Sequence, residues 1–137
     1  MALKAHGVER VYVSEPSAER GSRALAAGAT KVFNPVRENP VDSIRAVTEG
    51  RGAHILFECA GVESALNAAF QAARGKAKVI ELAKYPAPVS IWPNTFNKKG
   101  LSYIQSNIYT RREFQEVVDA IASGMPIHSM ILPHENR

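Results

Sequence analysis

The stretch at residues 53–61 (AHILFECAG) constrains the fold of this chain more than any other part of the sequence. It joins a short apolar run to a turn of small residues, and apolar residues follow at helical spacing over 62–74. Such a run is typical of a strand buried on both faces of a parallel sheet. Gly75 can end the helix, and a second apolar strand is predicted at 77–82. Strand, helix and strand with short connections predict a right-handed βαβ unit.

The same alternation continues through most of the chain and predicts the α/β fold class, with a parallel sheet and helices on both of its faces. Residues 84–97 contain three prolines and are predicted to be a loop, in which 89–92 can form a short edge strand. A last strand is predicted at 127–132. The remaining predicted strands are 10–13, 30–33 and 101–105, and the remaining predicted helices are 1–6, 16–27, 40–49 and 110–124.

The composition is that of one soluble globular domain, since 45% of the 137 residues are apolar and 22% are charged. The sequence has no apolar run long enough to span a membrane and no signal-peptide pattern, so we expect a cytoplasmic protein. The single cysteine, Cys59, excludes an internal disulfide and a zinc site of several thiolates. The net charge of +4 comes from scattered basic residues without a nucleic-acid-binding motif, so we expect neither nucleic acid nor a membrane as partner.

Four stretches carry a resemblance to a known family: LKAHG at 3–7, VYVSEPSAER at 11–20, FECAG at 57–61 and YTRREF at 109–114. On these stretches the chain resembles the cofactor-binding domain of zinc-dependent medium-chain alcohol dehydrogenases, particularly the butanediol and polyol dehydrogenase branch. The resemblance covers nearly the whole chain. It implies a Rossmann-like domain that binds NAD.

The chain also departs from that family. The catalytic domain with its zinc ligands is absent, and so are the first Rossmann strand and the Gly-x-Gly-x-x-Gly turn that meets the pyrophosphate. We therefore expect residues 1–137 to form a single incomplete Rossmann-like domain that lacks its first strand. Because that strand is central in the order 3-2-1-4-5-6, its loss leaves two unpaired strand edges. A rearranged sheet, a partner's strand or a swapped homodimer would resolve this.

The first predicted site residues follow the strand at 10–13. The resemblance implies that Glu15 accepts the adenosine ribose hydroxyls, which favours NAD over NADP, and that Arg20 lies near the same ribose. Glu15 can equally be a strand-end residue or a helix cap.

A second group of candidates follows the strand at 53–58. The resemblance implies that Cys59, Ala60 and Gly61 form a turn lining the cofactor near its adenine-side ribose, where small residues permit close backbone approach. Alternatively, Gly61 only makes a tight turn, and Cys59 is a small buried hydrophobic residue.

A third group lies after the next two strands. The resemblance implies that the strand end at Glu81 and Ala83 contacts the nicotinamide. A semi-buried Glu81 could act as a general base, although it could also be paired or face outward. Ligands bind at the carboxyl edge of open α/β sheets, and that edge would bring together further candidates. The catalytic candidates are Glu81, Lys84, Tyr85 and Tyr109, and Ser106 is a cofactor-binding candidate.

The four histidines show no metal-ligand spacing, so no zinc is expected. Three functions remain open from the sequence. In the first, the chain is part of an alcohol-dehydrogenase-like oxidoreductase that binds NAD weakly or not at all and does not transfer hydride alone. It could instead be a cofactor-independent enzyme with cyclase, isomerase or lyase chemistry on a small molecule, or a non-catalytic interaction module.

Overall fold

The computed structural model describes residues 2–125, which contain five short strands and six helices. The predicted strand at 127–132 therefore lies outside the described residues. The strands form two separate parallel sheets, one of two strands and one of three. The chain divides into two compact units, the first made of residues up to 38 together with residues from 109 onward, and the second of residues 39–108.

The first unit begins with the short helix α1 (Ala2–Ala5), which Gly7 follows at a positive φ of 77°. Strand β1 (Tyr12–Ser14) pairs in parallel with β2 (Lys31–Phe33), and helix α2 (Ala18–Ala26) connects them. The α2 helix begins two residues later than predicted, because Ser17 precedes its first turn and caps it, so Pro16 lies before the helix.

Gly21, in the middle of α2, has a packing role that the sequence alone does not indicate. A Cβ atom at this position would lie 3.2 Å from Cγ1 of Val32, so the missing side chain lets α2 approach β2 closely.

Helix α6 (Arg111–Ala122) also belongs to the first unit, and its predicted capping box is confirmed. The Thr110 side chain accepts a hydrogen bond from the Glu113 N–H, and the Glu113 carboxylate accepts one from the Thr110 N–H. The predicted apolar stripe is present, but it is exposed along its length. Its members are Phe114, Val117, Val118 and Ile121, with exposed fractions of 54%, 53%, 40% and 37%.

The second unit is a parallel sheet of order β3-β4-β5 with three helices. The predicted βαβ unit is confirmed as β3 (Ala53–Glu58), α4 (Glu63–Ala72) and β4 (Ala73–Glu81). The core is a cluster around Leu66, Phe70 and Val79, and Phe70 contacts the rings of Phe96 and Tyr103. The other elements are α3 (Pro40–Val47), which Asn39 caps as predicted, α5 (Asn94–Lys99) and β5 (Ser102–Gln105).

The prediction that the strand at 53–58 is buried on both faces is wrong. Leu56 packs on the core cluster, but Ile55 and Phe57, which point to the other face, are 52% and 41% exposed. The apolar run marks a strand, yet only the face toward α4 is covered by the core cluster.

Two element boundaries also differ from prediction. Helix α4 ends at Ala72, and β4 starts at once with Ala73, which pairs with Ala53, so Gly75 lies inside the strand and does not end the helix. The predicted loop at 84–97 contains α5 at its end, and residues 89–92 form no strand. None of the described helices is long and apolar enough to cross a membrane.

Candidate functional site

The carboxyl end of β1 presents Glu15 in a fixed position. Its Oε1 atom accepts hydrogen bonds from the Ser17 N–H at 2.8 Å and from the Arg20 guanidinium at 2.8 Å. The Arg20 hydrogen bond, the largest cause, lowers the pKa of the Glu15 carboxyl below its usual value, so the group is ionised at neutral pH. The two residues that the resemblance implies near the ribose are thus bonded to each other, and their contact with a ribose stays a prediction.

The geometry at Glu15 leaves one acceptor free. Among the described residues nothing donates to its Oε2 atom, and the side chain is 20% exposed, whereas that of Arg20 is 56% exposed. The helix cap of α2 is Ser17, so Glu15 is not required for that role. A charged oxygen at a strand end is therefore available to hydroxyl donors.

In the second unit, three polar side chains lie side by side where the parallel strands end. Glu58 is the register partner of Glu81, and Glu81 is the register partner of Gln105. Both glutamates are 3% exposed. The Gln105 amide donates to Oε1 of Glu81 across a long distance of 3.5 Å. This row is on the α4 side of the sheet, because Leu56 and Val79, each two positions before a glutamate of the row, pack in the core cluster with the side chains of α4.

Glu58 is the best-bonded member of this row, and the sequence analysis did not include it among the site residues. Its carboxylate accepts hydrogen bonds from the Ala60 N–H at 2.8 Å, the Gly61 N–H at 3.2 Å and the Tyr85 hydroxyl at 2.6 Å. An acidic residue ending an otherwise apolar strand was the available signal, because Glu58 and Glu81 share that position in successive strands.

The predicted turn at Cys59, Ala60 and Gly61 lies against the backbone that follows β4. Gly61 has a φ of 68°, and a Cβ atom there would lie 2.5 Å from the carbonyl oxygen of Lys84 and 3.4 Å from Cβ of Ala83. Only glycine permits both the conformation and the approach. The structure thus brings the predicted turn, at Gly61, against Ala83 and Lys84, which belong to the third group of candidates.

The individual side chains of the third group differ in exposure. Tyr85 is half-buried and its pKa is raised, mainly by desolvation and then by its hydrogen bond to Glu58, so the phenol stays protonated. Lys84 is exposed. The exposed Ser106 joins the edge through its backbone, because its N–H donates to the Glu81 carbonyl at 2.9 Å.

Cys59 is exposed, so the expectation of a buried hydrophobic residue is wrong. Surrounding protein atoms nevertheless raise the pKa of its thiol by desolvation, and the charge of Glu58 raises it further. The thiol is therefore protonated at neutral pH and is a poor nucleophile.

Tyr109 belongs to the first unit, where its ring stacks on Phe114 with centroids 5.9 Å apart. The two rings, with Glu113 and Val117, line an open apolar groove of about 310 Å³. The Glu113 carboxylate in this groove is engaged by the N–H and hydroxyl of Thr110 in the capping box.

No group of three histidine, cysteine, aspartate or glutamate side chains within residues 2–125 could hold a metal ion. His54 contacts Arg74, and His6 contacts the carbonyl oxygen of Ala2 at 2.9 Å. His128 and His134 lie outside the described residues. The described donor set therefore does not fit a zinc ion.

Comparison with known proteins places these observations in a family. A family model described as zinc-binding dehydrogenase matches residues 1–123. A probable alcohol dehydrogenase of a Pseudomonas species is 39% identical over 104 residues, which are 74% of this chain and 33% of that protein. L-threonine 3-dehydrogenase of Pyrococcus abyssi is 39% identical over 88 residues, covering 64% of this chain and 25% of that protein.

A solved structure agrees with these sequence matches. The structure of 2R,3R-butanediol dehydrogenase from Bacillus subtilis aligns with a TM-score of 0.85 and 26% identity, over 96% of this chain and 38% of that one. The chain spans about a third of the length of such relatives. The predicted resemblance and the Rossmann-like α/β fold are confirmed, and the chain belongs to the zinc-binding dehydrogenase family.

Proposed function

We propose that this chain is the nucleotide-binding part of an alcohol-dehydrogenase-like oxidoreductase, and that Glu15 binds the adenosine ribose of NAD. The observation that carries the proposal is the free, ionised oxygen of Glu15 at the carboxyl end of β1. Carboxylate oxygens accept hydrogen bonds only, and the two ribose hydroxyls are donors of matching chemistry.

The charge at this position favours NAD over NADP. The 2′-phosphate of NADP would meet the Glu15 carboxylate, and like charges at close range repel. Arg20, the cation that could offset this repulsion, is already bonded to Glu15 at 2.8 Å. We therefore expect a preference for NAD. We also expect weak binding, since the sequence contains no Gly-x-Gly-x-x-Gly turn for the pyrophosphate.

The cofactor would supply the hydride chemistry, and this chain would orient the cofactor. Glu15, held by Ser17 and Arg20, would fix the ribose end of the dinucleotide. The described side chains offer no set of ligands that fits a zinc ion. We propose that hydride transfer to a substrate needs groups that residues 2–125 do not contain.

The cofactor-independent alternative receives less support. Glu81, its candidate base, is 3% exposed, and a base must come within hydrogen-bond distance of its substrate. That alternative stays a prediction, and so does the interaction module.

The experiment compares Glu15→Gln with Glu19→Gln in calorimetric titrations with NAD and NADP. Glu19 is a matched control, because it pairs with Arg23 on the same helix and is 69% exposed. We expect E15Q to weaken NAD binding at least about tenfold, since the variant loses the charged acceptor. The preference for NAD over NADP should also become smaller. E19Q should stay within about twofold of the wild type. Equal NAD affinity in E15Q and the wild type would refute the role of Glu15.

A further inference from the structure

We propose that Glu58 is the positioning residue of the carboxyl edge of the β3-β4-β5 sheet: its one carboxylate fixes both the 59–61 turn and the hydroxyl of Tyr85. This proposal goes beyond nucleotide binding at Glu15 and does not depend on it. The Glu58 carboxylate accepts hydrogen bonds from three donors at this edge.

Three hydrogen-bond donors converge on the buried Glu58 carboxylate. Oε1 of Glu58 accepts from the N–H groups of Ala60 and Gly61, and Oε2 accepts from the Tyr85 hydroxyl and shares the Gly61 N–H. A carboxylate that is 3% exposed is costly unless such donors replace water. Two of the donors, Ala60 and Gly61, directly follow β3, and the third, Tyr85, lies 27 residues beyond Glu58, so the carboxylate joins two separate segments.

A Cβ atom at Gly61 would lie 2.5 Å from the Lys84 carbonyl oxygen, so the turn packs closely against the segment after β4. The far end of that segment is fastened to α4, because the Ser90 N–H donates to Glu63 at 2.9 Å and the Asn67 amide donates to the Ser90 carbonyl at 3.2 Å. Glu58 therefore sets the position of a segment held at both ends.

Glu81 is equally buried but accepts far fewer hydrogen bonds than Glu58. The two glutamates are register partners with the same 3% exposure, but Glu81 receives a single side-chain bond at 3.5 Å. Burial alone therefore does not produce the bonding of Glu58. The consequence is a preformed edge of turn backbone and protonated phenol, where open α/β sheets bind their ligands.

The test compares Glu58→Gln with Glu81→Gln by amide hydrogen exchange, read by NMR at Ala60 and Gly61. E58Q replaces the charged acceptor by a neutral amide of the same shape, so both amides should exchange at least about tenfold faster. E81Q is matched in burial and strand position and should leave both rates within about twofold. The exchange of Val79, in the core, reports whether each variant is folded.

A second readout separates positioning from general stability. The Cys59 thiol is the single thiol of the chain, and the Glu58 charge raises its pKa. Its titration midpoint should therefore fall in E58Q and not in E81Q. If E58Q does not fold, Tyr85→Phe removes one donor instead, with Tyr103→Phe as control, and Gly61 should exchange about threefold faster in Y85F alone.

The proposal is overturned if Ala60 and Gly61 exchange in E58Q as in the wild type, or if E81Q accelerates them equally. In the fallback pair, equal rates in Y85F and Y103F overturn it as well. Dinucleotide titration of E15Q is a separate measurement, so either proposal can fail while the other stands.

Discussion

At the scale of single residues, close approach decides which glycines cannot be replaced. Gly50 and Gly61 both have a positive φ, of 78° and 68°. A Cβ atom at Gly50 would meet nothing within 4 Å, whereas at Gly61 it would lie 2.5 Å from the Lys84 carbonyl. The two positions therefore separate backbone strain from steric overlap.

We predict that Gly50→Ala lowers the free energy of unfolding by about 1 kcal/mol, the strain of the left-handed conformation. Gly61→Ala should lower it by about 3 kcal/mol or more, because the Lys84 backbone must also move. Urea unfolding followed by circular dichroism measures both. Equal losses would show that the 59–61 turn is not packed as described.

The candidate residues also differ in how far the sequence could reveal them. Glu15 and Arg20 are five positions apart, and the resemblance of the stretch at 11–20 to the family implied that both lie near the same ribose. The bond between Glu58 and Tyr85 spans 27 positions and depends on how β3 pairs with β4. No local pattern encodes that pairing, and the role of Glu58 was therefore missed.

At the scale of secondary-structure elements, the end of α4 is held by one long side chain. The Lys99 ammonium, at the end of α5, donates to the carbonyls of Phe70, Gln71 and Ala73 at 3.0, 2.7 and 2.8 Å. It thus satisfies the last carbonyls of α4, where a cation is also favoured by the helix dipole. This cap explains how β4 can begin directly after the helix.

We predict that Lys99→Met lowers the free energy of unfolding by about 2 kcal/mol, since several charged hydrogen bonds are lost while the aliphatic stem is kept. Lys98→Met is the control, because Lys98 lies over the exposed ring of Trp92. Thermal unfolding compares the two variants. If K98M is as unstable as K99M, the cap does not stabilise α4.

Helix starts were predictable because capping is local: Asn39 and Thr110 cap α3 and α6 as expected. The boundary between α4 and β4 could not be predicted in this way, because it depends on Lys99, which lies 26 positions beyond Ala73. Helix α5 was not predicted, because the three prolines within residues 84–97 indicated a loop.

At the scale of the whole molecule, two exposed apolar surfaces need explanation. One is the α6 stripe, with Phe114 and Val117 more than half exposed, and the other is the sheet face with Ile55 and Phe57. Exposed apolar patches of this kind mark association surfaces. The sequence-based prediction of a homodimer, made from strand edges, stays a prediction, and these surfaces give it a second basis.

We predict that the chain self-associates at about 100 μM and that Val117→Lys or Phe57→Lys shifts it toward the monomer, because a charge cannot be buried in an apolar contact without a partner. Light scattering measures the mass against 14.9 kDa for one chain. Ser64→Lys, a change at an exposed helix position, is the control. A monomer in the wild type at that concentration would contradict the prediction.

The central claim is that this member of the zinc-binding dehydrogenase family binds NAD through Glu15, and titration of the wild-type chain with NAD and NADP tests it most directly. We predict saturable binding of NAD with a Kd of roughly 1 mM, or about −4 kcal/mol, and weaker binding of NADP. No binding of NAD up to about 10 mM, or tighter binding of NADP, would contradict it.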